Sequence, residues 1–209
     1  MSTRAYEIAF VATTEALLKD PVSGWDEARQ IVKTIDTVTE FFTGAQVNDP
    51  NAVTVVSWDS ADAHKAFQAT AANNDLLQVL SKSVIAPSAT VADIDYFHVQ
   101  FDSTHGDPLV TLRAPVTEIT RASWKEDVSQ EDFLASVVAV LTALKGVAVG
   151  TALGYTVEKP REVVAFLGWD NLEAYNNASG SEEVGPLLKD LASKATDLKV
   201  AIAKFNPRD

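Results

Sequence analysis

His98 is the side chain in this sequence best suited to take a proton from a small molecule. It lies in Asp95-Tyr96-Phe97-His98-Val99-Gln100-Phe101, where apolar and polar residues alternate. In a strand that alternation puts Tyr96, His98 and Gln100 on one face and Phe97, Val99 and Phe101 on the other. An imidazole, which titrates near neutrality, suits proton abstraction from a phenol or an activated carbon once the substrate comes within hydrogen-bond reach. His98 and Tyr96 are therefore the candidate catalytic pair, the base and the group that orients its substrate. The plainer alternative is a strand histidine bonded only to its neighbours.

Other residues could frame such a site. Trp58 and Trp169 close two matching strands and can either wall a pocket or fill a core. Thr54, on the same strand face as Trp58, and Tyr6, on the first strand, complete the candidate ligand-binding set with both tryptophans. Glu7 and Glu118 hold equivalent strand positions, and solvent is the expected environment for them. Asp59 and Asp170, directly after the tryptophans, read as helix N-caps. Arg113 and Arg121, eight residues apart on one strand face, read as surface groups. His64 is expected to be a partly exposed helix residue and His105 a solvated linker residue. No metal site is expected, because Asp95 and His98 point to opposite faces and no other histidine lies at ligand spacing. Gly146, Gly150 and Gly154 match no nucleotide fingerprint, and there is no serine-nucleophile signature. The chain has no cysteine, which removes disulfides, thiolate metal sites and a cysteine nucleophile together.

The elements that must position these groups are written twice. Val53, Trp58, Asp59, Ala63, Leu76, Leu77 and Leu80 recur 111 positions later as Val164, Trp169, Asp170, Ala174, Leu187, Leu188 and Leu191, and the same offset carries Glu7 onto Glu118. A repeat of about 100 residues is an ordinary domain size. Residues 1–104 and 105–209 are thus read as two copies, joined by the turn-forming run 102–108. In the first, strands are predicted over 6–11, 39–47, 52–58 and 91–101, with helices over 23–35, 59–71 and around Leu76–Leu80. In the second, strands fall at 110–121, 147–157, 162–169 and 198–205, and helices at 129–144, after Asp170, and at 182–195. The expected fold is α+β: two ferredoxin-like βαββαβ repeats forming an intramolecular pseudo-dimeric α+β barrel, with a ligand cavity between the two sheets.

The passage Val55-Val56-Ser57-Trp58-Asp59-Ser60-Ala61-Asp62-Ala63-His64-Lys65-Ala66-Phe67, its repeat Phe166-Leu167-Gly168-Trp169-Asp170-Asn171-Leu172-Glu173-Ala174-Tyr175, and the strand His98-Val99-Gln100-Phe101 resemble one known family. It is the dimeric α+β barrel superfamily, in its antibiotic-biosynthesis-monooxygenase-like (ABM domain) and stress-responsive branches, here as a tandem fusion. The resemblance implies a general-base role for His98 as in cyclase members. It also implies a helix position for His64 where heme-degrading members carry a histidine. In monooxygenase members an asparagine precedes the strand tryptophan by four residues; this chain has Thr54 and Ala165 there. The second copy has Ile202 and Tyr175 in place of His98 and His64.

The expected function is binding of a small hydrophobic, aromatic or polyketide-like molecule by a cofactor-independent monooxygenase or cyclase-type enzyme. The alternatives are a non-catalytic, ligand-binding or stress-associated protein, and a heme-binding protein. A net charge of −12, from 29 acidic and 17 basic residues, argues against nucleic acid and anionic membrane as partners. Residues 1–11 lack a signal-peptide pattern and no apolar run is long enough to span a bilayer, so a cytoplasmic protein is expected. A monomer with an internal pseudo-dimer is expected, further oligomerisation being left open.

Overall fold

The computed structural model describes residues 4–206. In order, the elements are β1 (Ala5–Ala12), α1 (Glu15–Lys19), α2 (Asp26–Val32), β2 (Val38–Gln46), β3 (Asn51–Trp58), α3 (Ala61–Gln68), α4 (Ala71–Ser83) and β4 (Asp95–Asp102). There follow α5 (Pro108–Leu112), β5 (Val116–Trp124), α6 (Gln130–Ala143), β6 (Gly150–Thr156), β7 (Glu162–Trp169), α7 (Leu172–Ser179), α8 (Val184–Lys194) and β8 (Ala195–Phe205). The chain divides into two compact units, Met1–Gln100 with Ala203–Asp209, and Phe101–Ile202. The last residues of β8 are thus counted with the first unit, where the sequence reading had placed the whole of 105–209 in the second copy.

Each unit is mixed α+β. Strands run β4-β1-β3-β2 in the first and β8-β5-β7-β6 in the second, so both sheets follow the order last, first, third, second. In the first unit, β2 and β3 form the hairpin predicted from Asn48-Asp49-Pro50-Asn51, with Gly44 opposite Val53 and Ala45 opposite Ala52. β1 lies between β3 and β4, antiparallel to both. Trp25, Leu17, Val84 and Ile85 pack against Val11 and Ala52, which holds helices on one sheet face. The opposite face, with Ile8, Val53, Val55, Phe97 and Val99, is buried as well. In the second unit one cluster joins Trp124, Phe133, Val137, Leu153, Val163 and Trp169.

Helix starts follow local chemistry, with several corrections to the sequence reading. Ser129 accepts the Asp132 N–H at 3.0 Å and donates to its carboxylate at 2.7 Å, the predicted cap of α6. The caps after the tryptophans are one residue later than expected: Ser60 accepts from the Ala63 N–H and Asn171 from the Ala174 N–H, in place of Asp59 and Asp170. The strand expected over 110–121 starts later, at Val116, and Val110–Leu112 belong to α5 instead. Asp107 caps it and Pro108 occupies the first turn, where a missing N–H costs nothing. Arg113 consequently ends a helix and does not share a strand face with Arg121. Arg121 is itself buried, its Nε 3.7 Å from the Glu162 carboxylate. No helix among the described residues is long and apolar enough to cross a membrane.

Gly44 illustrates how tightly β2 holds the chain's last strand residues. It pairs with Phe205, and a Cβ there would overlap the Lys204 carbonyl oxygen. Gly44→Ala is expected to lower stability by about 1–3 kcal/mol, the usual cost of forced overpacking. Urea unfolding checks this; an unchanged midpoint would mean the pairing is looser than the structure has it.

Candidate functional site

In the first unit, strand register gathers the polar groups. Glu7 of β1 lies beside Val56 of β3 and His98 of β4, and Ala9 lies beside Thr54 and Tyr96. Alternation therefore places Glu7, Ala9, Val11, Thr54, Val56, Trp58, Tyr96 and His98 on one face. The chain leaves β3 at Trp58, turns at Asp59 and starts α3 on the Ser60 cap, which swings His64 back over that face.

His64 Nδ1 is 2.7 Å from His98 Nε2, and His64 Nε2 is 3.4 Å from Glu7 Oε2. Trp58 Nε1 donates to the same Glu7 oxygen at 2.8 Å. The Trp58 indole stacks on the His64 imidazole, with centroids 4.7 Å apart and planes 19° apart. Both histidines are 6% exposed. Tyr96 meets His64 edge-on at 5.9 Å, is 45% exposed, and its hydroxyl accepts from Gln68 Nε2 at 3.2 Å. A buried carboxylate–imidazole–imidazole chain thus sits between an indole and a phenol.

That chain forms the polar end of a cavity of about 330 Å³. Glu7, Thr54, Trp58, His64, Gln68 and Tyr96 supply its polar wall, and Val11, Val32, Phe41, Leu76 and Leu80 much of the apolar remainder. Its volume falls at the small end of ordinary ligand sites, enough for a compact ring system.

The candidates from sequence are brought together only in part. Trp58, Thr54 and Tyr96 line this cavity, which lies between the sheet and helices of the first unit. His98 does not line it; it stands behind His64 and reaches the cavity through it. Tyr6 pairs with Ser57 and Val99 on the opposite face of β1 and has no place in the wall, because an odd–even shift along a strand reverses the side chain. Trp169 belongs to the second unit. His64, expected to be partly exposed, is buried, and Glu7, expected in solvent, faces the cavity. His105 stays outside the cluster, 3.6 Å from Asp102. Taking one donor atom from each residue, Glu7, His64 and His98 place three potential metal ligands within 4.8 Å of one another. Spacing along the sequence does not reveal this set, because the three donors come from separate elements, β1, α3 and β4.

The arrangement can move protons. Across the 2.7 Å contact one imidazole donates and the other accepts, so His98 fixes the orientation and tautomer of His64 much as a second group does for a catalytic base. A proton taken up on Nε2 makes His64 an imidazolium facing the Glu7 carboxylate, with His98 accepting from Nδ1 and the Trp58 ring face against it. That state would meet an opposite charge, a hydrogen-bond acceptor and an aromatic ring face. The 3.4 Å separation of Nε2 from Oε2 is longer than a closed charge-assisted bond, so a ligand hydroxyl reaching this end meets both atoms.

The second unit keeps half of this design. Trp169 Nε1 donates to Glu118 Oε2 at 3.2 Å, and Thr120 Oγ1 lies 2.8 Å from Glu118 Oε1. Tyr175 replaces His64, and burial, then the neighbouring Glu118, raise its phenol above the ordinary value. Burial is also the dominant influence on Glu118 and holds its carboxyl above the usual carboxylate range, against the two hydrogen bonds. A carboxyl raised on folding stabilises the protein fully below its unfolded value of about 4.3, and that contribution is lost as pH rises through the folded pKa. Glu118→Gln is therefore expected to be the more stable protein at neutral pH and to lose its advantage in acid. Urea unfolding at pH 4 and pH 8 measures this, and parallel curves for the two proteins at both pH values would contradict it.

With this geometry in place, comparison with known proteins adds the fold. No protein-family model and no curated protein matches the sequence. Solved structures do. A candidate monooxygenase from Lactobacillus acidophilus is 11% identical with a TM-score of 0.60, the match covering 97% of this chain and 94% of that one. An anthrone oxidase-like protein is 9% identical with a TM-score of 0.63, over 99% and 92%. A mutant chlorite dismutase from Candidatus Nitrospira defluvii is 10% identical with a TM-score of 0.61, over 99% and 93%. The chain has a monooxygenase-like α+β fold. At such identity the likeness is one of fold.

Proposed function

We propose that the first unit is a cofactor-independent acid–base catalyst of the monooxygenase or cyclase type, acting on a small aromatic or polyketide-like molecule. The observation that carries this reading is His64, set on the cavity wall with Nδ1 against His98 and Nε2 toward Glu7. His64 is the base, His98 its positioning partner and Glu7 the counter-charge. Trp58 holds both His64 and Glu7, and Tyr96 closes the rim. A phenol or activated C–H entering polar end first gives its proton to His64 Nε2. The electron-rich carbanion or phenolate left behind can close onto a carbonyl of the same molecule or react with dioxygen. Tandem duplication of one α+β unit, followed by loss of both histidines from the second copy, accounts for a single such site.

Oxygen uptake and product formation with an anthrone and with a phenolic β-polyketone test the reading, wild type against Leu76→Trp, which fills the cavity from α4. Turnover is expected in the wild type and not in the variant, whose folding is followed by circular dichroism. Equal turnover in both would place the reaction elsewhere.

A second reading is favoured by the same three groups: two imidazoles and one carboxylate are the donor set of many divalent-metal sites. Titration with cobalt(II) separates the two. Visible bands saturating at one equivalent and lost in His98→Ala support a metal centre; featureless spectra leave the proton relay. Heme ligation by His64 would require it to give up either His98 or Glu7.

A further inference from the structure

We propose that the cavity of the second unit is a binding site in its own right, for a small, mostly apolar alcohol or phenol whose hydroxyl lies between Glu118 and Tyr175. This goes beyond the proposed function and does not depend on it, since among the described residues no imidazole lines this cavity. Its volume is about 350 Å³, and Ala122, Val137, Val140, Leu141 and Val163 form much of its wall. Such a chamber takes an apolar body, and the few polar side chains on the wall decide what that body must carry.

Glu118, on the sheet side of the wall, is the acceptor. Its Oε2 accepts from Trp169 Nε1 and its Oε1 from the Thr120 hydroxyl. One bond to each oxygen leaves the carboxyl able to accept again, and it keeps that capacity with or without a proton. Tyr175, from α7, is the donor. Its ring meets Trp169 edge-on at 5.8 Å, beside the Glu118 carboxyl, and its raised phenol is a neutral O–H near neutral pH. The remaining polar side chains of the wall are otherwise engaged or stand apart. The Thr120 hydroxyl hydrogen is directed at Glu118, and Ser179 Oγ donates to the Tyr175 backbone carbonyl at 2.9 Å. Lys189, from α8, is exposed and so lies at the mouth.

An acceptor facing a donor selects a group that both gives and takes a hydrogen bond, and a hydroxyl does so through a single atom. A ketone or ether brings no donor for Glu118, nor does a carboxylate, and an ammonium brings no acceptor for Tyr175. In the first unit Ala9 stands at the Thr120 position, His64 at the Tyr175 position and Gln68 at the Ser179 position. Tyr175 thus offers a hydrogen bond where His64 offers a base.

The test uses the full chain carrying Leu76→Trp, whose first cavity is filled, and fluorine NMR of para-fluorobenzyl alcohol, para-fluorotoluene and para-fluorobenzoate. The alcohol is expected to bind at least about two- to tenfold more tightly than para-fluorotoluene, the worth of one neutral hydrogen bond, and more tightly than the benzoate. Adding Tyr175→Phe is expected to weaken the alcohol about two- to tenfold and to leave para-fluorotoluene unchanged. Leu188→Trp, which fills the second cavity from α8, is expected to abolish binding of both, its folding being followed by circular dichroism. The ligand ranking and the Tyr175→Phe result stand without that variant. The proposal is overturned if the alcohol does not bind up to its solubility, or if Tyr175→Phe leaves its affinity unchanged. It is equally overturned if the benzoate binds more tightly than the alcohol, which would make Lys189 the anchor, or if a folded Leu188→Trp still binds the alcohol.

Discussion

Replacing His64 by alanine is expected to lower turnover of a phenolic or anthrone-type substrate, the activity proposed for the first unit, by about 10²- to 10⁴-fold, the range a positioned general base supplies. His98→Ala is expected to lower it less, because His98 orients the base and does not itself line the cavity. Glu7→Gln keeps the size of the side chain and an acceptor for the Trp58 N–H but removes the counter-charge to a protonated His64. It should lower kcat with little change in KM, as expected for a group that acts mainly once charge has developed. Steady-state kinetics on the three variants ranks them. If His98→Ala were the worst and His64→Ala nearly wild type, the base would be the strand histidine that the family resemblance implied, and the helix histidine would only pack.

The largest effect on stability is expected in the second unit. Phe133 opens α6, is fully buried, and stacks on Trp124 with centroids 5.4 Å apart and planes 27° apart. Around it the cluster reaches from Val116 and Val163 of the sheet to Val184 and Leu191 of α8. Removing the ring leaves a hollow that the sheet cannot collapse into. Phe133→Ala should cost about 3–5 kcal/mol, as for other buried aromatic truncations. Leu134→Ala, on a partly buried neighbour, should cost distinctly less. Urea midpoints for both decide it, and equal, small shifts would mean that α6 is not anchored by this ring.

How far the site was legible in sequence follows from distance along the chain. The repeat showed Glu7 with Trp58 and Glu118 with Trp169 at the same offset, and the structure joins each pair through an indole N–H to a carboxylate 51 residues away. That duplication was a usable signal, and reading the glutamates as solvent-facing missed it. His64 and His98 are 34 residues apart, on a helix and a strand, and no local pattern links them. Only the crossing of α3 over β4 brings their rings together. Alternation placed Tyr96 and His98 on one strand face correctly, yet it could not tell which face the helices cover. Tyr6 was lost to that ambiguity, since both faces of β1 are apolar. Residues 108–112 carry strand-forming Val110 and Thr111, and the stronger message lay in Asp107 and Pro108, a cap and a first-turn proline. The order of the strands was the most secure part, because turn chemistry and the repeat supported each other.

The most direct test of the central claim is nitrogen-15 NMR of the imidazoles while 2-naphthol is titrated into the protein. If Glu7, His64 and His98 form a relay on the cavity wall, His64 and His98 signals move together as the phenol binds, and Leu76→Trp abolishes both shifts. Binding of the phenol that leaves the two imidazoles unmoved, or that moves His98 alone, would contradict the account.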